Sequence, residues 1–165
     1  MEFSTYTQQA VFDNPKITAF LLDTIIENLS YIYGEDMGSE ENRNGWIAYN
    51  LKQKDDTWHV IVGSRSGTPL GFIIYSIKSR ILSVNDIEII KSERHNPALL
   101  RGLLRSMLMW ENNNFDSIYG YINRNNLTSQ RNFLKYATNI TKRQSGFSFE
   151  INQEATQRIK AKITD

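Results

Sequence analysis

Residues 86–108 read Asp86-Ile87-Glu88-Ile89-Ile90-Lys91-Ser92-Glu93-Arg94-His95-Asn96-Pro97-Ala98-Leu99-Leu100-Arg101-Gly102-Leu103-Leu104-Arg105-Ser106-Met107-Leu108, and the hydrophobic period changes partway along them. Up to Ile89, polar and apolar residues alternate, the period of a half-buried strand. From Asn96-Pro97 onward, Leu99, Leu100, Leu103, Leu104, Met107 and Leu108 recur at helical spacing, with Arg101, Arg105 and Glu111 on the wet face. Asn suits the cap position and Pro the first helical position, so the helix is expected to start there. The loop between strand and helix carries Lys91, Arg94 and His95. A helix start beside these cations favours an anion; the same residues also read as an ordinary polar helix face with its loop.

Working outward, the strand Ile81–Ile90 is preceded by Trp58–Gly63 and Leu70–Ile77, joined by turn residues Ser66-Gly67, which together predict a hairpin. Further upstream, Asn14-Pro15 opens a helix whose Ile17, Phe20, Leu21, Thr24, Ile25, Leu29 and Ile32 recur at helical spacing, and Gly34-Glu35-Asp36 closes it. A second helix spans about Ser39 to Leu51, interrupted by Gly45, and Phe3–Phe12 predicts an opening strand. Downstream come a strand (Ser117–Ile122), a short helix (Asn126–Tyr136), a hairpin (Ile140–Ile151, turning near Ser145-Gly146) and a tail helix (Gln153–Ile163). The core order is β-α-α-β-β-β-α-β-α-β-β: one α/β domain over residues 1–165, a mixed central sheet flanked by helices.

Composition narrows the function classes. With 40% apolar and 22% charged residues, the chain belongs to the globular class, and a net charge of +1 gives no global field toward nucleic acid or membrane. There is no cysteine, which removes disulfides, thiolate metal sites and a cysteine nucleophile, and His59 and His95 alone cannot make a histidine-rich metal site. No metal is expected. Met1–Gln9 lacks the basic and apolar blocks of a signal peptide, and no apolar run reaches the roughly 18 residues of a membrane span. The expectation is a cytoplasmic protein, or one carried in a virion if a phage encodes it.

Residues 58–151, in this order and with these lengths, resemble the GNAT (N-acetyltransferase) superfamily. In that family the fourth strand leads into a loop of the form Q/R-x-x-G-x-G/A. Arg94 falls on the first position here, while Pro97 and Leu99 stand where the family has glycines. A second family motif, N-x-x-A-x-x-x-Y-x-K, is resembled by Asn126–Lys135, with Ser129 at the small residue and Phe133 in place of the tyrosine. The resemblance implies acetyl-CoA as co-substrate, held by Ile89, Ile90, Arg94, His95, Asn96, Ala98, Leu99 and Asn126, with the acyl carbonyl near the amides of Ile89 and Ile90. It implies acetyl transfer to an amine, with Glu88 or Asp86 as base and Tyr136 as the acid replacing Phe133. Those carboxylates also read as solvated strand-face groups, and His95 as a surface histidine. The missing glycines and tyrosine fit an alternative: a catalytically inactive GNAT-fold binding or assembly protein, for example a phage structural component. A homodimer or larger assembly is a partner expectation under both readings.

Overall fold

A computed structural model describes residues 1–164. Its strands are β1 (Glu2–Thr7), β2 (Trp58–Arg65), β3 (Thr68–Lys78), β4 (Ile81–Ile89), β5 (Ser117–Asn123), β6 (Asn139–Lys142) and β7 (Gly146–Ile151). The helices are α1 (Gln8–Phe12), α2 (Pro15–Tyr33), α3 (Glu40–Asn50), α4 (Pro97–Trp110), α5 (Leu127–Phe133) and α6 (Gln153–Thr164). The strands form one seven-stranded sheet in the order β1-β2-β3-β4-β5-β7-β6. Among the described residues only β4 and β5 run parallel; every other neighbouring pair is antiparallel.

Caps written in the sequence set the helix starts. Asn14 accepts from the Ile17 amide and precedes Pro15, and Ser39 accepts from the Asn42 amide. Glu40 and Glu41 add negative charge at the positive end of α3, and Gly45 is carried inside that helix without a break. Gly34, at φ 72°, ends α2 in the left-handed conformation that glycine adopts without a Cβ clash.

The opening strand is shorter than expected. It stops at Thr7, whose hydroxyl accepts from the Ala10 amide and starts α1, where the sequence pattern continues the strand to Phe12. Tertiary contacts decide this. Gln8 is buried, its amide nitrogen donating to the Gln53 carbonyl (2.9 Å) and its oxygen accepting from the Asp55 amide (2.9 Å). Val11 is also fully buried and joins the core beneath α2. The short helix Asn126–Tyr136 resolves into α5 followed by a 3₁₀ turn at Leu134–Tyr136.

The sheet is covered on both faces. Against one lie α1, α2 and α3, around Leu21, Ile25, Trp58, Val60, Val62, Phe72 and Ile74. Against the other lies α4, around Ile61, Ile73, Tyr75, Leu82, Leu99, Leu103, Met107, Ile118 and Ile122, with α6 packed on α4 and β5. Beneath α4 the Tyr75 hydroxyl donates to the Glu111 carboxylate (2.9 Å), which is buried and not on the wet face that the helical period predicted. Lys160 of α6 donates to the carbonyls of Asn112 and Phe115 (2.6 and 2.7 Å). These bonds satisfy polar groups that would otherwise be costly to bury.

Two irregularities of β4 shape the end of the sheet that faces α2 and the α4 start. Ile74 pairs with Asp86 and Tyr75 with Val84, so Asn85 is a bulge without a cross-strand partner. The parallel pairing of β4 with β5 ends at Val84 and Gly120; beyond it β4 stays with β3 to Ile89 while β5 stays with β7 to Asn123. The sheet thus opens into two arms.

Leu103 is fully buried at the centre of the α4 face. Leu103→Ala should cost about 2–5 kcal/mol in urea denaturation, whereas Arg105→Ala on the exposed face should stay within about 0.5 kcal/mol. Equal effects would contradict the packing of α4.

Candidate active-site cleft

Beyond the bulge, Asp86 and Glu88 oppose Ile74 and Phe72, which belong to the core under α2, so both carboxylates face α2. Ile87 and Ile89 face α4. The Ile90 amide donates to the Leu70 carbonyl (3.0 Å). By the alternation of an antiparallel ladder, the amides and carbonyls of Ile89 and Ile87 then point away from β3, into the gap left by β5. The Ile89 carbonyl is reached there by Asn28 of α2 (3.3 Å). Of the amides expected near the acyl carbonyl, Ile89 faces the gap and Ile90 is engaged by β3.

Asn28 is buried and also donates to the Glu88 carboxylate. Arg94 donates to the Asn28 side-chain oxygen, and its guanidinium lies 5.0 Å from the Tyr31 ring centre. At the end of α2 the Tyr33 hydroxyl accepts from Asn123 at the end of β5 (2.9 Å). This contact carries α2 across the gap, with Tyr121 partly exposed on the β5 arm.

Dense protein around the two carboxyls favours their neutral forms, although each keeps a partial opening to solvent. Burial pushes Asp86 up to about 7. Glu88 is pushed up to about 8, first by burial and then by the charge of Asp86, against the opposing pull of the Asn28 hydrogen bond and the Arg94 charge. A carboxyl ionising near neutral pH is a competent acid–base group.

The helix start is self-contained. Asn96 accepts from the Ala98 and Leu99 amides (3.1 and 3.4 Å), and its own amide donates to the Glu93 carbonyl (2.9 Å). Pro97 has no N–H to offer. The Asn96 amide nitrogen donates to Glu93 (2.7 Å), which also pairs with Arg65 (3.0 Å); the Asn96 bond first, then Arg65, hold the Glu93 carboxyl below its usual range. An anion here meets cationic side chains, while the Asn96, Ala98 and Leu99 N–H groups are already bonded. Lys91, His95, Arg101 and Arg105 are exposed around it.

The remaining sequence candidates sit apart. The Leu99 side chain is fully buried in the α4 core. Asn126 caps α5, accepting from the Ser129 amide (3.0 Å). Phe133 stacks on Phe149 (centroids 6.4 Å) and points inward, whereas Tyr136 is exposed with Lys135 over its ring (5.0 Å). Among the described residues no hydrogen bond or ring contact joins Tyr136 to β4. His59 stacks on Tyr75 (5.6 Å), as a sheet residue. Asn28 and Tyr31 were not among the sequence candidates. Asn28 was visible as a polar residue within the apolar stripe of α2, seven positions after Leu21 and three after Ile25.

No family model matches this chain, and no curated protein matches its sequence. Solved structures do match its fold. The PaiA N-acetyltransferase from Thermoplasma acidophilum, in complex with coenzyme A, superposes with a TM-score of 0.66 at 15% identity, covering 92% of this chain and 99% of that one. A GNAT-family acetyltransferase from Staphylococcus aureus gives 0.67 at 13% identity, covering 92% and 99%. The diaminobutyrate acetyltransferase EctA from Paenibacillus lautus, in complex with L-2,4-diaminobutyric acid and coenzyme A, gives 0.62 at 16% identity, covering 92% and 95%. The chain has the GNAT fold, as its order of elements implied.

The raised carboxyls make stability depend on pH. Unfolded, Asp86 and Glu88 ionise near 3.8 and 4.5; burial pushes them up to about 7 and about 8 in the folded protein. Between these limits the native state binds more protons than the unfolded chain, so stability falls as pH rises through the window. The thermal midpoint should therefore drop from about pH 5 to about pH 8, and Asp86→Asn with Glu88→Gln should flatten the drop. Parallel curves for the two proteins would show that the cleft does not force these groups neutral.

Proposed function

We propose that this chain is an acyltransferase that moves an acetyl group from acetyl-CoA to an amine. The observation that carries the reading is the opened β4–β5 gap, into which the Ile89 amide points beside the Glu88 carboxyl. Acetyl-CoA supplies an activated acyl carbon, and transfer forms a nitrogen–carbon bond as the carbon–sulfur bond breaks. The Ile89 N–H is suited to hold the acyl oxygen as it gains negative charge, a role that depends on backbone direction rather than side-chain identity. Glu88, ionised, accepts the proton that the acceptor ammonium must lose, and Asp86 beside it adds negative charge that draws a cationic acceptor. The leaving sulfur takes a proton from Tyr136 or from water.

The residues present fit the acyl end of the coenzyme more closely than its phosphate end. With the Ala98 and Leu99 amides given to Asn96, pyrophosphate recognition falls to Arg94, Lys91, His95 and Arg101, unless a bound anion displaces the Asn96 cap. That same cap favours the second reading, a GNAT-fold binding or assembly protein without catalysis. Fold alone does not choose between them, because one fold hosts many functions.

Calorimetry with acetyl-CoA separates the two. The transferase reading expects saturable binding that Arg94→Glu weakens at least about tenfold, a loss of roughly 1.4 kcal/mol. Absence of heat at about 1 mM ligand, some 4 kcal/mol of binding or less, would favour the assembly reading. If binding is found, Glu88→Gln should lower kcat/KM by roughly 10²–10⁴. Tyr136→Phe should slow turnover at unchanged coenzyme affinity; an unaltered rate removes Tyr136 from the mechanism.

A further inference from the structure

Asn28 is a buried polar group for which the acyl-transfer chemistry assigns no task. Its neighbours on the inner face of α2 are Leu21, Ile25 and Thr24, and Thr24 satisfies its hydroxyl on its own helix through the Phe20 carbonyl (2.8 Å). Asn28 does the opposite: every side-chain hydrogen bond it makes leaves α2. Its nitrogen donates to Glu88 and to the Ile89 carbonyl, and its oxygen accepts from Arg94. The amide's orientation is dictated by its partners, since a guanidinium only donates and a backbone carbonyl only accepts.

We propose that Asn28 is the positioning residue of the cleft, a single amide that ties the Glu88 carboxyl and the Arg94 guanidinium into one unit so that a change at either is felt at the other. The inference rests on the acyl-transfer reading only in calling Glu88 a base and Arg94 an anion-binding group. The groups acting on Glu88 are Asp86 from its own strand, Arg94 from the loop before α4, Asn28 from α2 and apolar Phe72 opposite on β3. Arg94 is backed by the Tyr31 ring, so its guanidinium is held toward Asn28. An anion gripped by Arg94 would offset its charge and compete for its N–H groups. Asn28 would lose its orienting cation, and Glu88 would hold its proton more firmly. By reciprocity, protonation of Glu88 would favour the anion-bound state.

The test reads Glu88 directly, without relying on turnover. Protein labelled with ¹³C at the glutamate carboxyl is titrated by NMR, the Glu88 resonance being identified by its loss in Glu88→Gln. Asn28→Asp keeps the size and the oxygen toward Arg94 but replaces the donor facing Glu88 with a repelling oxygen. The Glu88 midpoint should move up by about one pH unit or more. Arg94→Gln, on a surface loop that should tolerate the change, is expected to move it up by a smaller amount. It decides the matter if Asn28→Asp does not fold. Midpoints within about 0.2 of wild type in whichever variants fold would overturn the proposal. Because the Arg94 charge also acts on Glu88 directly, so would an Arg94→Gln shift as large in an Asn28→Leu background as in the wild type. Adding coenzyme A to the labelled protein judges the other reading separately. A Glu88 resonance that shifts upward in midpoint supports both, while absence of coenzyme binding counts against acyl transfer and leaves the ligand-free titration to decide Asn28.

Discussion

The bulge at Asn85 is the constraint on which the rest of the cleft depends. Before it, β4 directs Leu82 and Val84 into the α4 core; after it, Ile87 and Ile89 take that direction. An unbroken strand would send 82, 84, 86 and 88 to one side, placing two carboxylates against Leu103 and Met107 and two isoleucines toward the cleft. Burying two unpaired carboxylates in that core would cost far more than one unpaired backbone position. The extra residue resolves the conflict, and it turns Asp86 and Glu88 toward α2. It falls where β4 and β5 part, so the same short segment opens the sheet and lines the opening with two carboxyl groups.

The opening is held from above by α2. Its start is set by Asn14 and Pro15 and its end by Gly34, and across it Tyr33 contacts the far arm while Asn28 contacts the near one. The roof and the carboxylates are therefore not independent. Partial closure explains how Glu88 is pushed toward its neutral form and yet remains reachable, a combination that suits proton transfer at neutral pH better than either full burial or free exposure.

The start of α4 shows what replaces missing glycines. A glycine loop offers an anion bare backbone amides. Here Asn96 satisfies those amides itself, Pro97 contributes none, and the Leu99 side chain fills the core beneath. The helix gains a firm beginning, and the available positive charge resides on exposed side chains. Arg94 is the exception, held between Asn28 and Tyr31.

The element order was legible in the sequence because periodicity and caps are local: the switch of period at Asn96-Pro97, the hairpin around Ser66-Gly67 and the stop at Gly34 each act over a few residues. The out-of-phase pairs Leu82, Val84 and Ile87, Ile89 are the local trace of the bulge, which the alternation of residues 86–89 does not by itself predict. By contrast, the end of β1 at Thr7 depends on Gln8 meeting a loop over 40 residues away. That Glu88, Asn28 and Arg94 meet at all depends on three elements converging from separations of 60 and 66 residues. Apart from Gln8–Phe12, sequence by itself determined which segments are helix or strand, because those preferences are set by nearest neighbours. Tertiary structure alone decided which charged groups share the cleft, because a carboxyl's environment is made by whatever chain packs against it.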